Sequence, residues 1–411
     1  MRGQQAKQNW RHRVLGDLGE VVSGGTPSRT VPSFWNGNIP WATPTDITRL
    51  QDKYISNTAE KITENGLVGS SAHLLPSGSL LVTSRATLGE AAIATVPIAT
   101  NQGFKSIVPN ADTHRVFAYY LVKTLKPKLF PLASGTTFLE IGKGDFCRIP
   151  VRIPDFDEQC RIAYVLDTID EAIQKTEAVI AKLKQIRAGM LHDLLTYGLD
   201  KDGKLRDPVA HPEQFKDSEL GRIPKEWEVV KCRSAFGLRS GVAKTQRELL
   251  KEGKGSVPVY GGNGVTGYTH SPLITSATVV IGRVGEYCGK VQLTPERAWI
   301  TDNALYVTEL TSACTMTFLH RYLDWRDLTK LQSATGQPLV TQSGIGETAI
   351  VLPQVDEQEA IVCALLSQDD TMRQEEVELG KLRHIKSGLM DDLLSGAVPV
   401  PEDLLTEGVP A

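Results

Sequence analysis

The chain has 411 residues, 41% hydrophobic and 23% charged, with a formal net charge of −3 at pH 7. That length leaves room for two or three domains with proper cores, and no run of about 18 apolar residues marks a membrane helix. Six scattered cysteines without a Cys-x-x-Cys pair suit reduced cytoplasmic thiols better than disulfides or a zinc site.

The N-terminal octapeptide, Met1-Arg-Gly-Gln-Gln-Ala-Lys-Gln, lacks the apolar core of a signal peptide, so a cytoplasmic location is expected. Residues 1–154 read as a first globular domain. Short β-branched runs between Gly/Pro turns, with a helix over 116–126, predict a mixed α/β fold. Gly24-Gly-Thr-Pro-Ser-Arg29 leads there into Phe34-Trp35 and Ile39-Pro-Trp41. Two further stretches are Leu80-Leu-Val-Thr-Ser-Arg85 and Thr100-Asn-Gln-Gly-Phe-Lys105.

Residues 155–198 predict a spacer helix. Steps of four and three pick out Ile162, Leu166, Ile169, Ile173, Thr176, Ile180, Leu183, Arg187, Met190 and Leu194, eight of the ten apolar. No proline interrupts them, so the rhythm is that of a coiled coil. Residues 199–225 are polar, with Asp-Gly, Asp-Pro, His-Pro and Ile-Pro breaks, and read as a linker. A second globular domain spans 226–353, with a helix expected over 316–325. A second spacer helix spans 354–396, with Ile361, Leu365, Leu382 and Leu393 on its seam. The tail 397–411, rich in Pro and Glu, is expected to be loosely ordered.

The second half repeats the first. Residues 157–195 recur at 356–394 with a constant offset of 199, including the Asp-Glu-Gln opening after Pro154 or Pro353. Trp10 and Trp227 each stand thirteen residues before a Ser-Gly. Val279-Val-Ile-Gly-Arg283 and Thr301-Asp-Asn-Ala-Leu-Tyr306 parallel the two first-half stretches. Ser134-Gly-Thr136 parallels Ser333-Ala-Thr335. Two helices with matching seams most simply pack on each other, so the expected fold is α+β: two mixed α/β domains joined by two long helices in an antiparallel coiled coil, with internal twofold duplication.

Charge follows the same plan. Residues 1–150 hold 16 Lys+Arg against 10 Asp+Glu, net +6, and residues 231–350 hold 13 against 9, net +4. Residues 351–411 are net −9. Basic globular surfaces favour a polyanion through phosphate contacts, whereas acidic helices are freer to meet protein. The glycine turns, beside aromatics, arginine and Asn/Gln, can follow a phosphate backbone and read base edges. The same stretches can equally be hairpin turns over core aromatics, since Asn263-Gly264 signals a type I′ turn.

Catalytic signatures are mostly missing. There is no phosphate loop, no HExxH, and no cofactor-binding glycine fingerprint. Asn38-Ile-Pro-Trp41 differs by one residue from the Asn/Asp-Pro-Pro-aromatic tetrapeptide of amino-methyltransferases that act on a flipped base. Glu140 and Asp145 near Lys143 only loosely resemble a nuclease cluster.

The duplicated plan, the Pro-x-x-Asp-Glu-Gln helix openings, Ser23-Gly-Gly-Thr-Pro-Ser28, Ile39-Pro-Trp41 and Thr100-Asn-Gln-Gly-Phe104 resemble the specificity subunit of type I restriction–modification systems. So do Gly221-Arg-Ile-Pro-Lys-Glu-Trp227 and Val257-Pro-Val-Tyr-Gly-Gly-Asn-Gly264. The resemblance implies a non-enzymatic protein with two target-recognition domains, each reading half of a bipartite site in double-stranded DNA. It implies two adenine-N6 methyltransferase (M) subunits and restriction (R) subunits docked around the helices. S-adenosylmethionine is then bound by the partner and not by this chain. Carried onto matching positions, the DNA-binding candidates are Thr26, Arg29, Arg85, Asn101 and Gln102, then Asn263, Tyr268, Arg283 and Asn303. Arg85 and Arg283 can instead be structural partners of Glu90 and Glu286. The helix-pair and partner interface candidates are Ile162, Leu166, Ile173, Leu183 and Leu194 with Ile361, Leu365, Leu382 and Leu393. The second domain departs from the pattern at Arg239-Ser-Gly-Val242 and Asp302-Asn303, so the two half-sites are expected to differ. Two alternatives stay open: the recognition subunit of a two-subunit type II enzyme, and a diverged DNA methyltransferase.

Overall fold

Where the seven-residue rhythm runs unbroken the chain is helical, over Phe156–Thr196 and again over Val355–Leu394, in the computed structural model. The structure describes residues 10–85, 87–134, 139–253, 256–333 and 338–405. The N-terminal octapeptide, the end of the tail, and most of the Ser134-Gly-Thr136 and Ser333-Ala-Thr335 pair lie outside those residues. Among the described residues no helix is long and apolar enough to cross a membrane. The chain forms two units, residues 1–177 with 378–411, and residues 178–377.

In the first unit, a five-stranded sheet has the order Gly19–Ser23, Lys105–Pro109, Leu80–Val82, Ala91–Ala94, Tyr54–Ile55. Beside it, Trp35–Ala42 lies between Glu60–Ile62 and the parallel Ala99–Thr100. Arg11–Val14 pairs with Pro150–Ile153 to lead the chain into the first long helix. The short helix expected over 116–126 is Arg115–Thr124.

The second unit repeats this frame. Its four-stranded sheet runs Phe236–Ser240, Ala304–Leu310, Val279–Gly282, Val291–Leu293. Val257–Gly261 lies between Gly264–Thr269 and the parallel Trp299–Ile300, and Glu228–Lys231 pairs with Ala349–Leu352. Among the first unit's described strands, only the outer strand Tyr54–Ile55 lacks a counterpart in the second. Met316–Arg326 takes the place of Arg115–Thr124.

The Asp-Glu-Gln opening has a structural cause. Gln159 is 1% exposed, accepts from His114 N (2.9 Å), and donates to the carbonyls of Asp112 (3.0 Å) and Pro154 (3.1 Å). Gln358, 0% exposed, repeats this with Thr315 N, Ala313 O and Pro353 O. Each glutamine satisfies backbone groups that burial would otherwise leave unpaired, and so pins the helix to the loop before the short helix.

The seam residues divide into two classes. Ile162, Leu166 and Leu393 join Trp10, Leu15, Phe117 and Phe146 in the first core. Leu194, Ile361 and Leu365 join Trp227, Phe318 and Ile350 in the second. Ile173 is buried, but Leu183 and Leu382 are only half-buried. Two paired helices alone cover one stripe of each other, whereas the helix ends also have a sheet and a short helix to cover them.

Within each unit the helices run antiparallel. In the first, Lys386 meets Asp170 (2.5 Å) and Arg383 meets Glu177 (2.7 Å). In the second, Lys184 meets Glu376 (3.7 Å) and Arg187 meets Asp369. Asp170 also accepts from Tyr120 (2.6 Å), and Asp369 pairs with Arg321 (2.7 Å). A carboxylate on each helix thus holds both the opposite helix and the short helix of its own globular part.

Two stretches are more structured than their composition suggests. Residues 199–225, expected as a linker, include a hairpin, Phe215–Ser218 with Gly221–Pro224. Arg206 is 7% exposed and paired with Glu357 at 2.5 Å, and Trp227 Nε1 donates to the same carboxylate at 3.1 Å. Gly198 adopts φ +66, and a Cβ there would lie 2.2 Å from Glu357, so the turn requires glycine. In the tail, Val400 is 6% exposed and belongs to the first core. Prolines and glutamates do not prevent one apolar residue from docking on the Trp10 face.

Candidate nucleic-acid interface

In the first domain, glycine permits an unusually close backbone approach. A Cβ on Gly24 would sit 1.9 Å from the Asn101 carbonyl oxygen, and one on Gly25 2.3 Å from Ser71. The loop 24–30 therefore lies flat on the end of Ala99–Thr100, with Gly25 N donating to Thr100 O at 2.9 Å. Trp41 Nε1 donates to Gly25 O at 2.9 Å and fixes the loop from below.

On this base, the Thr26 hydroxyl donates to the Gln102 side-chain oxygen. Asn101 Oδ1 accepts from Gly103 N at 2.8 Å, which shapes the facing turn. Arg29 lies 3.8 Å above the Trp35 ring and forms a two-pronged ion pair with Glu60, 2.7 Å on one prong. Hydrogen bonding within that pair raises the guanidinium and holds the Glu60 carboxyl below its ordinary range. Thr26, Arg29 and Gln102 are exposed and Asn101 half-buried, so four of the five first-domain candidates share one tip.

Arg85 flanks this tip. Its neighbour Ser84 donates to Gly103 O at 2.7 Å, and Arg85 itself bridges to the Glu140 backbone. The Glu90 carboxylate takes Lys123 (2.5 Å) and Lys126 (2.6 Å). Burial works against that carboxyl's charge, but the two lysines outweigh it and keep Glu90 below its usual range. Lys105, 5% exposed, meets Ser84 Oγ at 3.3 Å and Glu140 at 3.4 Å.

The second domain builds its tip on the same frame with different side chains. A Cβ on Gly241 would lie 2.3 Å from Thr301 O, and Val242 N donates to Ile300 O at 2.9 Å. Trp299 Nε1 donates to Val242 O at 3.0 Å, as Trp41 does to Gly25. The indole comes from the neighbouring strand: Trp41 pairs with Ala99, and Trp299 pairs with Val259. Lys244 Nζ lies 4.1 Å over the Trp299 ring.

Arg283 donates from its backbone to Asn303 O (2.9 Å) and from its side chain to Ser240 Oγ (3.2 Å). Lys290 Nζ donates to Asn263 Oδ1 at 3.3 Å. Gly262, next to Asn263, sits where a Cβ would be 3.4 Å from Asn303 O. Asn263, Arg283 and Asn303 thus gather at this tip. Tyr268 does not join them; it lies at the far end of its hairpin strand, opposite Pro258. Burial, then the nearby Glu252, raises its phenol.

The hairpin at Asn263-Gly264 is present, but its turn is not type I′. That turn needs positive φ at both central residues, whereas positive φ falls on Gly264 (+108) and not on Gly262 or Asn263. Glu60, Lys244, Lys290 and Trp299 carry no signal in the sequence, while Trp35 shows there only as an aromatic after the glycine turn. Each reaches its tip from a strand or loop whose spacing differs between the halves, so matching the repeats does not find them.

The two near-motifs of catalysis resolve into structure. Trp41 is 2% exposed and packs with Ile62, Ala72 and Ala99, so Asn38-Ile-Pro-Trp41 offers no exposed ring to a base. Glu140 pairs with Lys105 and Asp145 with Arg148, as separate ion pairs. Among the described residues no group of three or more His, Cys, Asp or Glu could hold a metal ion.

Comparison with known proteins follows the same duplication. The signature of the type I restriction modification DNA specificity domain matches residues 7–185 and again 224–382. The type I restriction enzyme MjaIX specificity subunit of Methanocaldococcus jannaschii is 33% identical over 248 residues, 60% of this chain and 56% of that protein. This chain therefore matches little more than half the length of that relative. The EcoprrI specificity subunit of Escherichia coli is 25% identical over 384 residues, 90% of each chain. The fold is similar to the type I restriction–modification S subunit of M. genitalium, with a TM-score of 0.58 and 18% identity, covering 94% of this chain and 96% of that one. It is also similar to a chain from a structure addressing complex assembly and conformational transition of the type I R-M system, with a TM-score of 0.60 and 17% identity over 95% of this chain and 99% of that one. With the domain signature matched twice across most of its length, the chain belongs to the type I restriction modification DNA specificity domain family.

Proposed function

We propose that this chain is the DNA-recognition and scaffold subunit of a type I restriction–modification complex. Each recognition domain reads one half of a bipartite site in double-stranded DNA, and the chain performs no catalysis. The observation that carries this reading is the pair of tips on one backbone frame with different side chains. The first domain presents Thr26, Arg29, Asn101 and Gln102 beside Arg85, and the second presents Lys244, Asn263 and Asn303 beside Arg283, which the repeat aligns with Arg85. Arginine suits guanine or phosphate, and Asn/Gln suits adenine. One frame with two side-chain sets fits two unlike half-sites.

Two methyltransferase subunits dock on the helix pairs and supply adenine-N6 chemistry with their own S-adenosylmethionine, and restriction subunits complete the assembly. A methyltransferase in its own right is disfavoured by the burial of Trp41. Methylome sequencing of a host carrying the chain and its partners tests the reading. Replacing residues 24–30 and 101–102 should change one half of the methylated site and leave the other intact. A change in both halves, or in neither, argues against it. Labelled S-adenosylmethionine should not be retained by the purified chain alone.

A further inference from the structure

The two tips differ in what holds their cations. In the first domain Arg29 is matched by Glu60 through two prongs, and Lys105 sits 3.4 Å from Glu140. In the second, the cations rest on neutral groups: Lys244 on the Trp299 ring at 4.1 Å, Arg283 on Ser240 Oγ at 3.2 Å, and Lys290 on Asn263 Oδ1 at 3.3 Å. Among the described residues none of these three has a carboxylate in ion-pair range. Asp302, exposed beside Asn303, offers its backbone carbonyl to Ser240 at 3.4 Å. Glu248 lies near enough to Lys244 for its carboxyl to feel that charge, but it hydrogen-bonds Thr245 and forms no ion pair with the lysine.

A cation already paired with a carboxylate gains little from a phosphate, because it gives up one anion to take another. A cation held by a ring or a hydroxyl keeps its charge available, and its aliphatic stem is already ordered. We propose that the second recognition domain grips the DNA phosphate backbone through Lys244, Arg283 and Lys290, while Arg29 and Lys105 of the first domain, each already paired with a carboxylate, add little counterion release. This rests on the DNA-specificity reading above and adds which half of the site carries the salt dependence.

The test is the salt dependence of binding by the complete assembly to its own bipartite duplex. Each phosphate contact contributes a slope of about 0.9 in log K against log salt. The double variant K244Q/K290Q should lose a slope of about 1.8, so that raising salt from 50 to 200 mM costs it about tenfold less affinity than the wild type. Its preference at the half-site read by the first domain should not move. E60Q should act in the opposite direction: freeing Arg29 should raise the slope by about 0.9 and tighten binding at low salt. Unchanged slopes in the double variant, or a loss of base preference without a change in slope, would overturn the proposal. So would an E60Q variant whose slope equals that of the wild type. Failure of the wild-type assembly to select any duplex sequence would instead overturn the DNA-specificity reading itself.

Discussion

The two recognition domains share one backbone frame and part company in how they hold their charge and their tryptophans. Trp41 and Trp299 reach corresponding loop carbonyls from neighbouring strands. Trp41 is buried, and Trp299 is half-buried under Lys244. Duplication therefore preserved the task, a loop held down by an indole N–H, more faithfully than the residue that performs it. The difference teaches that a frame fixed by backbone approach, as at Gly24 and Gly241, leaves the residues above it free to diverge.

The strongest way to break the comparison is to unfold one half and leave the other. Leu166 and Leu365 are 0% and 2% exposed in separate cores. Leu166→Asp or Leu365→Asp buries an unpaired charge and should cost about 3 kcal/mol or more. Hydrogen exchange should show protection lost in the unit that carries the change and retained in the other. Loss in both units would show that the two fold as one.

Next in size are the glutamine clamps. Gln159→Leu and Gln358→Leu each orphan buried backbone groups, at about 2–3 kcal/mol by the usual cost of an unsatisfied buried group. Because the two sets of partners match, the two melting-temperature losses should be similar. A large inequality would mean that the shared opening serves different purposes in the halves.

Trp41→Phe and Trp299→Phe each remove one N–H donor, worth about 1 kcal/mol. The buried site should lose more, because its carbonyl partner is left without water, and Trp299→Phe should also loosen Lys244. Proteolysis within loops 24–30 and 241–248 would rank the two.

The smallest effect is a dependence on pH. Burial pushes the Asp369 carboxyl up, but the hydrogen bond from Arg187 and the charge of Arg321 outweigh it and hold it below its ordinary range. A carboxyl with a lowered folded value stabilises fully above its unfolded value of about 3.9, and that stability is lost as pH falls through the folded value. The second unit should therefore lose melting temperature in acid, and Asp369→Asn should flatten that loss while lowering stability at neutral pH. An unaltered acid limb in Asp369→Asn would remove Asp369 as its cause.

The twofold plan, both long helices, the two short helices and the glycine turns were all legible in the sequence. Each rests on local spacing: a seven-residue apolar rhythm, β-branched runs between turns, or an offset of 199 residues. Local spacing also marked Gln159 and Gln358, through the repeated Asp-Glu-Gln, although not the backbone groups they satisfy. What depends on residues far apart in the chain was decided only by the tertiary structure. The Arg29–Glu60 pair spans 31 residues, the Lys290–Asn263 contact 27, and the Arg206–Glu357 pair that builds residues 199–225 into the second unit spans 151. Burial was decided there too. Ile162 and Leu183 have the same place in the rhythm, yet a sheet and a short helix cover the first while one partner helix half-covers the second. Sequence periodicity says which face of a helix is apolar; the number of layers that close over it is a property of the fold.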